Sequence, residues 1–273
     1  MGTALNRLKL RKSAKQAVKI LTENREQTLI IHYSCESFYD GSKGQSPRIT
    51  SIAVRNFGTG STHSFSIHQV AEIQHIPFDQ IAEHYNQLEK FMLGEFFAFM
   101  NNHQIFRWVH WNMRDANYGF ASIEHRYRVL DGKPTIIPDQ SKFDLARILV
   151  DLYGVGYASH PRLESIIRKN NISDRDFLKG SEEAKAFDNK EYVRLHQSTL
   201  RKVDCLANLL GRTADQTLKT DSRWTEVYGL SFAALGEIIR EHPTYSILTV
   251  LLVFLGVIYK GMQIYNFLAS KGH

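Results

Sequence analysis

Residues Thr28–Tyr33 read TLIIHY, and the chain from there to His68 decides the fold. A short uncharged run rich in β-branched and apolar side chains predicts a buried strand. A turn-rich loop over Asp40–Pro47 follows. Ile49–Phe57 (ITSIAVRNF) then predicts a second strand, Gly58–Ser61 a hairpin turn, and Ser64–His68 (SFSIH) a third strand. A hairpin after the first strand makes an antiparallel trio, with Thr28–Tyr33 expected at the centre of the sheet and Ser64–His68 antiparallel to its neighbour. From Pro77 the period becomes helical, through FDQIAEHYNQLEKFMLGEFFAFMNNH. Next come a strand at Ile105–His110 (IFRWVH), a helix over about Asp115–Val129, helices at Phe143–Leu152 and Pro161–Asn170, and a long helix at Tyr192–Leu210. The order predicts an α/β domain, a mixed sheet with helices packed on it.

The 273 residues are 43% hydrophobic and 23% charged, enough for one large core or two small ones. Lys and Arg outnumber Asp and Glu by 34 to 28, a formal charge of +6 that suits an anionic partner such as nucleic acid or a lipid surface. Two cysteines, Cys35 and Cys205, exclude a disulfide framework and a four-cysteine zinc site. The twelve histidines show no His-Glu-x-x-His spacing, and no phosphate-binding Gly-x-x-x-x-Gly-Lys-Ser/Thr loop is present.

The ends differ from the middle. Over residues 1–26, apolar side chains alternate with Arg7, Lys9, Arg11, Lys12, Lys15 and Lys19, which breaks any signal-peptide core and predicts a basic amphipathic helix. Such a helix either lies on the domain with a solvated cationic face or meets phosphates or anionic lipid. The main domain is expected over 27–220 and an amphipathic connecting helix over 221–243, punctuated by Pro243. At 244–268, Tyr245–Tyr259 reads YSILTVLLVFLGVIY without a charge, apolar on every side. Extended to Leu268 it is long enough to span a bilayer if Lys260 snorkels to an interface. This predicts a single-pass C-terminal membrane anchor with the main domain cytoplasmic.

Three acidic stretches carry the candidate chemistry. The first strand ends in His32-Tyr33-Ser34-Cys35-Glu36, and the strand at 105–110 runs into His110-Trp111-Asn112-Met113-Arg114-Asp115. The long helix carries Asp204 between Val203 and Leu206, eight residues after His196. A carboxylate beside apolar neighbours calls for a partner or a metal. With the element order, these stretches resemble the ribonuclease H-like fold, specifically its DEDD 3'-5' exonuclease superfamily, over roughly Thr28–Leu210. The resemblance implies a mixed sheet flanked by helices and phosphodiester hydrolysis with two Mg²⁺ or Mn²⁺ ions. It makes Glu36, Asp115 and Asp204 the metal ligands and catalytic acids; His196, about two helical turns before Asp204 and so on the same side of the helix, is the candidate base. The match is partial. Ser34 stands where the family has its first Asp, Trp111 and Arg114 replace the usual Asn and Phe, and Thr199 and Leu200 occupy the positions of the usual bases.

Each residue also has a plainer reading. Glu36 suits a polar strand end, Asp115 and Asp144 suit helix caps, and His196 suits a surface. The aromatics Trp108, Trp111, Tyr118 and Phe120, with Arg107 and Arg114, read as core before they read as a base-stacking platform. Two functions follow. One is a membrane-tethered, metal-dependent exonuclease acting on DNA or RNA. The other is a catalytically degenerate nuclease-fold module that binds nucleic acid, a protein partner or a second copy of itself at the membrane, as in an antiviral-defence sensor or effector.

Overall fold

The Thr28–Cys35 strand, β1, takes the middle of a mixed sheet in the computed structural model, which describes residues 2–36, 46–114, 118–228 and 251–263. β2 (Ile49–Asn56) pairs antiparallel with β1, and β3 (Thr62–Ser66) antiparallel with β2. On the other side β4 (Arg107–His110) runs parallel to β1, and β5 (Lys142–Asp144) parallel to β4. Among the described residues the sheet has five strands in the order β3-β2-β1-β4-β5. The protein is an α/β structure with helices on both faces of this sheet.

Strand alternation sorts the side chains into two cores. Leu29, Ile31 and Tyr33 of β1 join Ile52 and Val54 of β2 under α3 (Tyr85–Asn102), which contributes Leu88, Met92, Leu93 and Phe96. The opposite face carries Ile30, Ala53 and Val109. It is covered by α1 (Gly2–Glu23), α5 (Leu145–Tyr153) and α8 (Tyr192–Ala214). The inner stripe of α8 supplies Val203, Leu206, Leu209 and Leu210. Trp108 and Phe120 are buried core residues, as the aromatic pattern suggests.

The basic N-terminal helix divides its cations. Lys9, Lys12 and Lys19 point to solvent, while Ala14, Val18 and Leu21 are buried. Arg7 and Arg11 turn inward: Arg7 donates to the Asp151 and Glu226 carbonyls at 2.6 and 2.8 Å, and Arg11 to the Leu152 carbonyl at 3.2 Å. Asp151 and Leu152 lie in the last turn of α5, whose carbonyls lack intrahelical partners, so two cations sit where a helix C-terminus favours them. Glu226 lies in α9 (Trp224–Tyr228), so the same arginine ties α1 to the start of the connecting segment.

Several boundaries differ from the expected ones. The third strand ends at Ser66, and Ile67–Ile73 is a helix, α2, because Ile67, Val70 and Ala71 bury at helical spacing. The helix expected from Phe78 opens with a 3₁₀ turn at Phe78–Gln80, and α3 begins at Tyr85. α4 (Phe120–Val129) starts at its Gly119 N-cap, so Asp115 is not its cap. Before α4, Asn112 is left-handed (φ 54°) and Arg114 bridges to Gly119. Two further helices follow, α6 (Arg162–Lys169) and α7 (Gly180–Asp188), the second not expected.

Of the expected connecting helix, α9 covers the first turns, and residues 229–250 lie outside the described residues. Residues 251–263 of the expected anchor are helical, and the remainder of Tyr245–Leu268 is outside them. Among the described residues no helix is long and apolar enough to cross a membrane.

Candidate functional site

The C-terminal end of β1 is where the resemblance places the first metal ligand. His32 and Ser34 share the parity of Ile30 and so face α8, where both are buried. α8 presents Ser198 and, one turn on, Lys202 to them, and α7 adds Glu183. Ser34 Oγ and Ser198 Oγ both donate to Glu183 Oε1, at 3.4 and 3.2 Å. Lys202 Nζ pairs with the same oxygen at 2.7 Å, and the two side chains are only 7% and 15% exposed. The ammonium also lies 5.0 Å from the centre of the Phe177 ring.

The cation in this cluster is therefore covalently part of α8. One ammonium balances one carboxylate, and the other groups are neutral hydroxyls. Mg²⁺ and Mn²⁺ need an excess of anionic oxygen ligands, so this cluster does not fit the two-metal centre that the resemblance implies.

Neighbouring groups sense the same burial. Burial, and then the Lys202 charge, holds the His32 imidazole well below its usual range. Burial, and then Glu183, pushes the Cys35 thiol far up, so it is neutral and unreactive. Tyr118 closes the end of the strand: its ring stacks on Tyr33 with centroids 4.6 Å apart, and its hydroxyl donates to the Tyr33 carbonyl at 3.3 Å.

The expected ligands disperse. Glu36 is held by a bidentate Arg48, with both guanidinium contacts at 3.0 Å. Burial works to raise the Glu36 carboxyl, and the hydrogen bonds and charge of Arg48 outweigh it, leaving the group below its usual range. Asp204 is 43% exposed and pairs with Arg55 at 3.1 Å, so its partner is an arginine at the other end of β2. Arg48 and Arg55 are seven residues apart along that chain, roughly 23 Å in extended conformation. Glu36 and Asp204 thus share no point. His196 is buried, not a surface residue, and stands against His68 of α2 with ring centroids 5.1 Å apart. Asp115 and the loop residue Asp40 lie outside the described residues. Among the described residues no group of three His, Cys, Asp or Glu side chains is placed to hold a metal ion.

The turn that leads to Asp115 is firmly built. Asp144 caps α5, accepting from the Ala146 and Arg147 amides at 3.0 and 3.4 Å, the capping role its sequence position suggests. The same oxygen accepts from the Asn112 amide at 3.1 Å, and the other pairs with the Arg114 guanidinium. His110 Nδ1 accepts from the Met113 amide at 3.2 Å. Burial, opposed by Asp144, pushes the His110 imidazole down to about 4. It is neutral at pH 7, with its proton on Nε2.

Arg48 also lines an open cavity of about 210 Å³ with Glu83, His84, Asn86 and Gln87, at the start of α3. Lys202 and Glu183 were not among the expected site residues, although a lysine in phase with Leu195, Ser198, Leu206 and Leu209 on the inner stripe of α8 was a readable signal. No family model, curated protein or solved structure matches this chain.

Proposed function

We propose that the chain is a membrane-tethered module on a ribonuclease H-like scaffold that binds nucleic acid without hydrolysing it. The observation that carries this reading is the Lys202–Glu183 pair against Ser34, which supplies an internal ammonium where hydrolysis calls for a carboxylate-bound metal. The mixed sheet, with β2 alone antiparallel to the other four strands and helices on both faces, supports the scaffold that the resemblance implies. The anionic partner follows from the +6 charge and from Arg48, Arg114 and Arg147, which lie at the sheet end where β1, β4 and β5 finish and would exchange their carboxylate partners for phosphates. The last two are 56% and 55% exposed. Arg48, His84, Asn86 and Gln87 line a polar cavity on the same side. The tether rests on residues 251–263, a helix with Leu251, Leu252, Val253, Phe254, Leu255 and Val257 exposed around its circumference.

The test is a paired assay on single-stranded DNA and RNA oligonucleotides with Mg²⁺ or Mn²⁺ present. Binding is expected to weaken steeply with salt, with no metal-dependent product. Metal-dependent cleavage that disappears in Asp115→Asn would overturn the proposal in favour of an exonuclease. Absence of any nucleic-acid binding would overturn it in favour of a protein partner.

A further inference from the structure

The cations of α1 fall on two sides of the helix. Arg7 and Arg11 turn to the packed side with Ala14, Val18 and Leu21, where backbone carbonyls take them up. Lys9, Lys12 and Lys19 stand exposed on the other side. At 3.6 residues per turn they lie within about 80° of one another. Between Lys12 and Lys19 the exposed residues are Ser13 and Gln16. Glu23 is the only acid of α1 and sits at its end, where it pairs with Lys19 at 3.6 Å. A cationic stripe alone means only a solvated surface, and the position of this one adds to it. Arg7 ties α1 to the Glu226 carbonyl of α9 at 2.8 Å, and the Arg11 guanidinium lies 4.7 Å from the centre of the Tyr228 ring. Tyr228 is the last described residue before the stretch 229–250 that leads to the apolar helix at 251–263. At Tyr228 the chain therefore leaves for that helix from alongside α1.

We propose that the outer face of α1 docks on an anionic lipid surface and so sets how the domain lies at the membrane. This rests on the tether reading above, which brings a bilayer to this side of the molecule. Each basic side chain near an anionic leaflet strengthens the contact roughly five-fold. The attraction fades over about 8 Å at physiological ionic strength, so it acts only on a face that is already held close, and a tether leaving beside α1 holds it there. The contact is electrostatic. Ala14, Val18 and Leu21 are occupied in the core, so α1 stays on the domain and does not insert as a free amphipathic helix would. Nucleic acid is the less favoured anion for this face. The last turn of α1 lies at the start of β1, where Thr28 Oγ1 donates to the Leu21 carbonyl at 3.0 Å. Arg48 and Arg114 stand where β1 and β4 finish, at the opposite end of the sheet.

The experiment floats the full chain with vesicles of phosphatidylcholine alone, or of phosphatidylcholine with about 30% phosphatidylserine, then labels amines briefly and maps them by mass spectrometry. Flotation with the neutral vesicles reads the tether. Labelling reads α1: Lys9, Lys12 and Lys19 are expected to be protected several-fold more in the anionic vesicles than in the neutral ones, and to lose that protection at high salt. The exposed Lys190 is the control and is expected to label equally in both. In a Lys9→Gln, Lys12→Gln double variant, Lys19 is expected to lose most of its protection, since each ammonium contributes roughly five-fold to the contact. Flotation with both vesicles and equal labelling in both would overturn the α1 contact and leave the tether standing. Protection in the anionic vesicles without flotation on the neutral ones would remove the tether and keep the contact, and flotation with neither would overturn both. Protection of the three lysines by a single-stranded oligonucleotide, and not by anionic vesicles, would overturn the lipid surface in favour of nucleic acid.

Discussion

Lys202 and Glu183 define what a single substitution should do at the end of β1. Lys202→Met removes the ammonium and leaves a nearly buried carboxylate facing two hydroxyls. Breaking a buried pair from one side costs about 3–5 kcal/mol, and urea denaturation is expected to show a loss in that range. Adding Glu183→Gln to Lys202→Met should return most of it, because a neutral amide carries no uncompensated charge. A loss below about 1 kcal/mol would mean that water screens the pair and that it does not fill the site. His110 sets a pH dependence. Its imidazole is held down to about 4 against an ordinary 6.5, so between those values the unfolded chain binds a proton that the folded chain refuses. Stability is full above pH 6.5 and falls as pH drops toward 4. The contribution from this one residue is on the order of 3 kcal/mol. His110→Asn is expected to lessen the slope of that part of the stability–pH curve without abolishing it, because burial also lowers the His32, His68 and His196 imidazoles, and an unchanged slope would remove His110 as a source.

Between elements, the fully buried Glu89 of α3 pairs with Arg126 of α4. Arg126 donates to both Glu89 oxygens, and Glu89 Oε1 also accepts from the Ile49 amide at 2.7 Å. One side chain thus joins two helices and the start of β2. Arg126→Met is expected to strip hydrogen-exchange protection from α4 first, with α8 keeping its own. Uniform loss across both helices would show that the pair supports the whole domain and not one docking contact. Elements of this kind differ in how they appear in sequence. β1 and β2 are legible because their runs are β-branched and uninterrupted, and α8 because its apolar residues keep one phase over 23 residues. β5 has three residues, too few for any period, and borrows its strand geometry from β4. α2 hides because Ile67 suits either the end of a strand or the start of a helix. At the site, the Asp144 cap was readable from its position before an apolar helix. The Arg48 partner of Glu36 and the Arg55 partner of Asp204 were not, because the first depends on β1–β2 pairing and the second on α8 packing against β2, which local spacing does not encode; only Arg201, three residues before Asp204, was a local partner. Lys202 was legible in principle, as a charge on a buried stripe.

For the molecule as a whole, the question is how a domain whose own helices are already packed accommodates residues 251–263. Every side chain of that helix is exposed, with Phe254 at 67% and Val257 at 66%. A helix that docks on protein keeps one polar face, and residues 251–259 have none. Leu251, Leu252, Val253, Phe254, Leu255, Val257 and Ile258 each favour insertion by about 0.3–0.6 kcal/mol, whereas a lysine at mid-bilayer opposes it by about 2.5–3.5 kcal/mol. Lys260 therefore cancels most of the gain unless it reaches the headgroups, and its place near the end of the apolar run allows that. The prediction has two arms. Ending the chain after Pro243 should leave a protein that stays in solution without detergent, while the full chain floats with liposomes and resists alkaline extraction. Lys260→Leu should strengthen retention, and Phe254→Lys, which puts a second charge mid-helix where snorkelling cannot reach, should weaken it. If the full chain instead stays in the aqueous fraction as a monomer, its apolar surface is covered by the protein itself, and the membrane tether falls while the Lys202–Glu183 argument stands untouched.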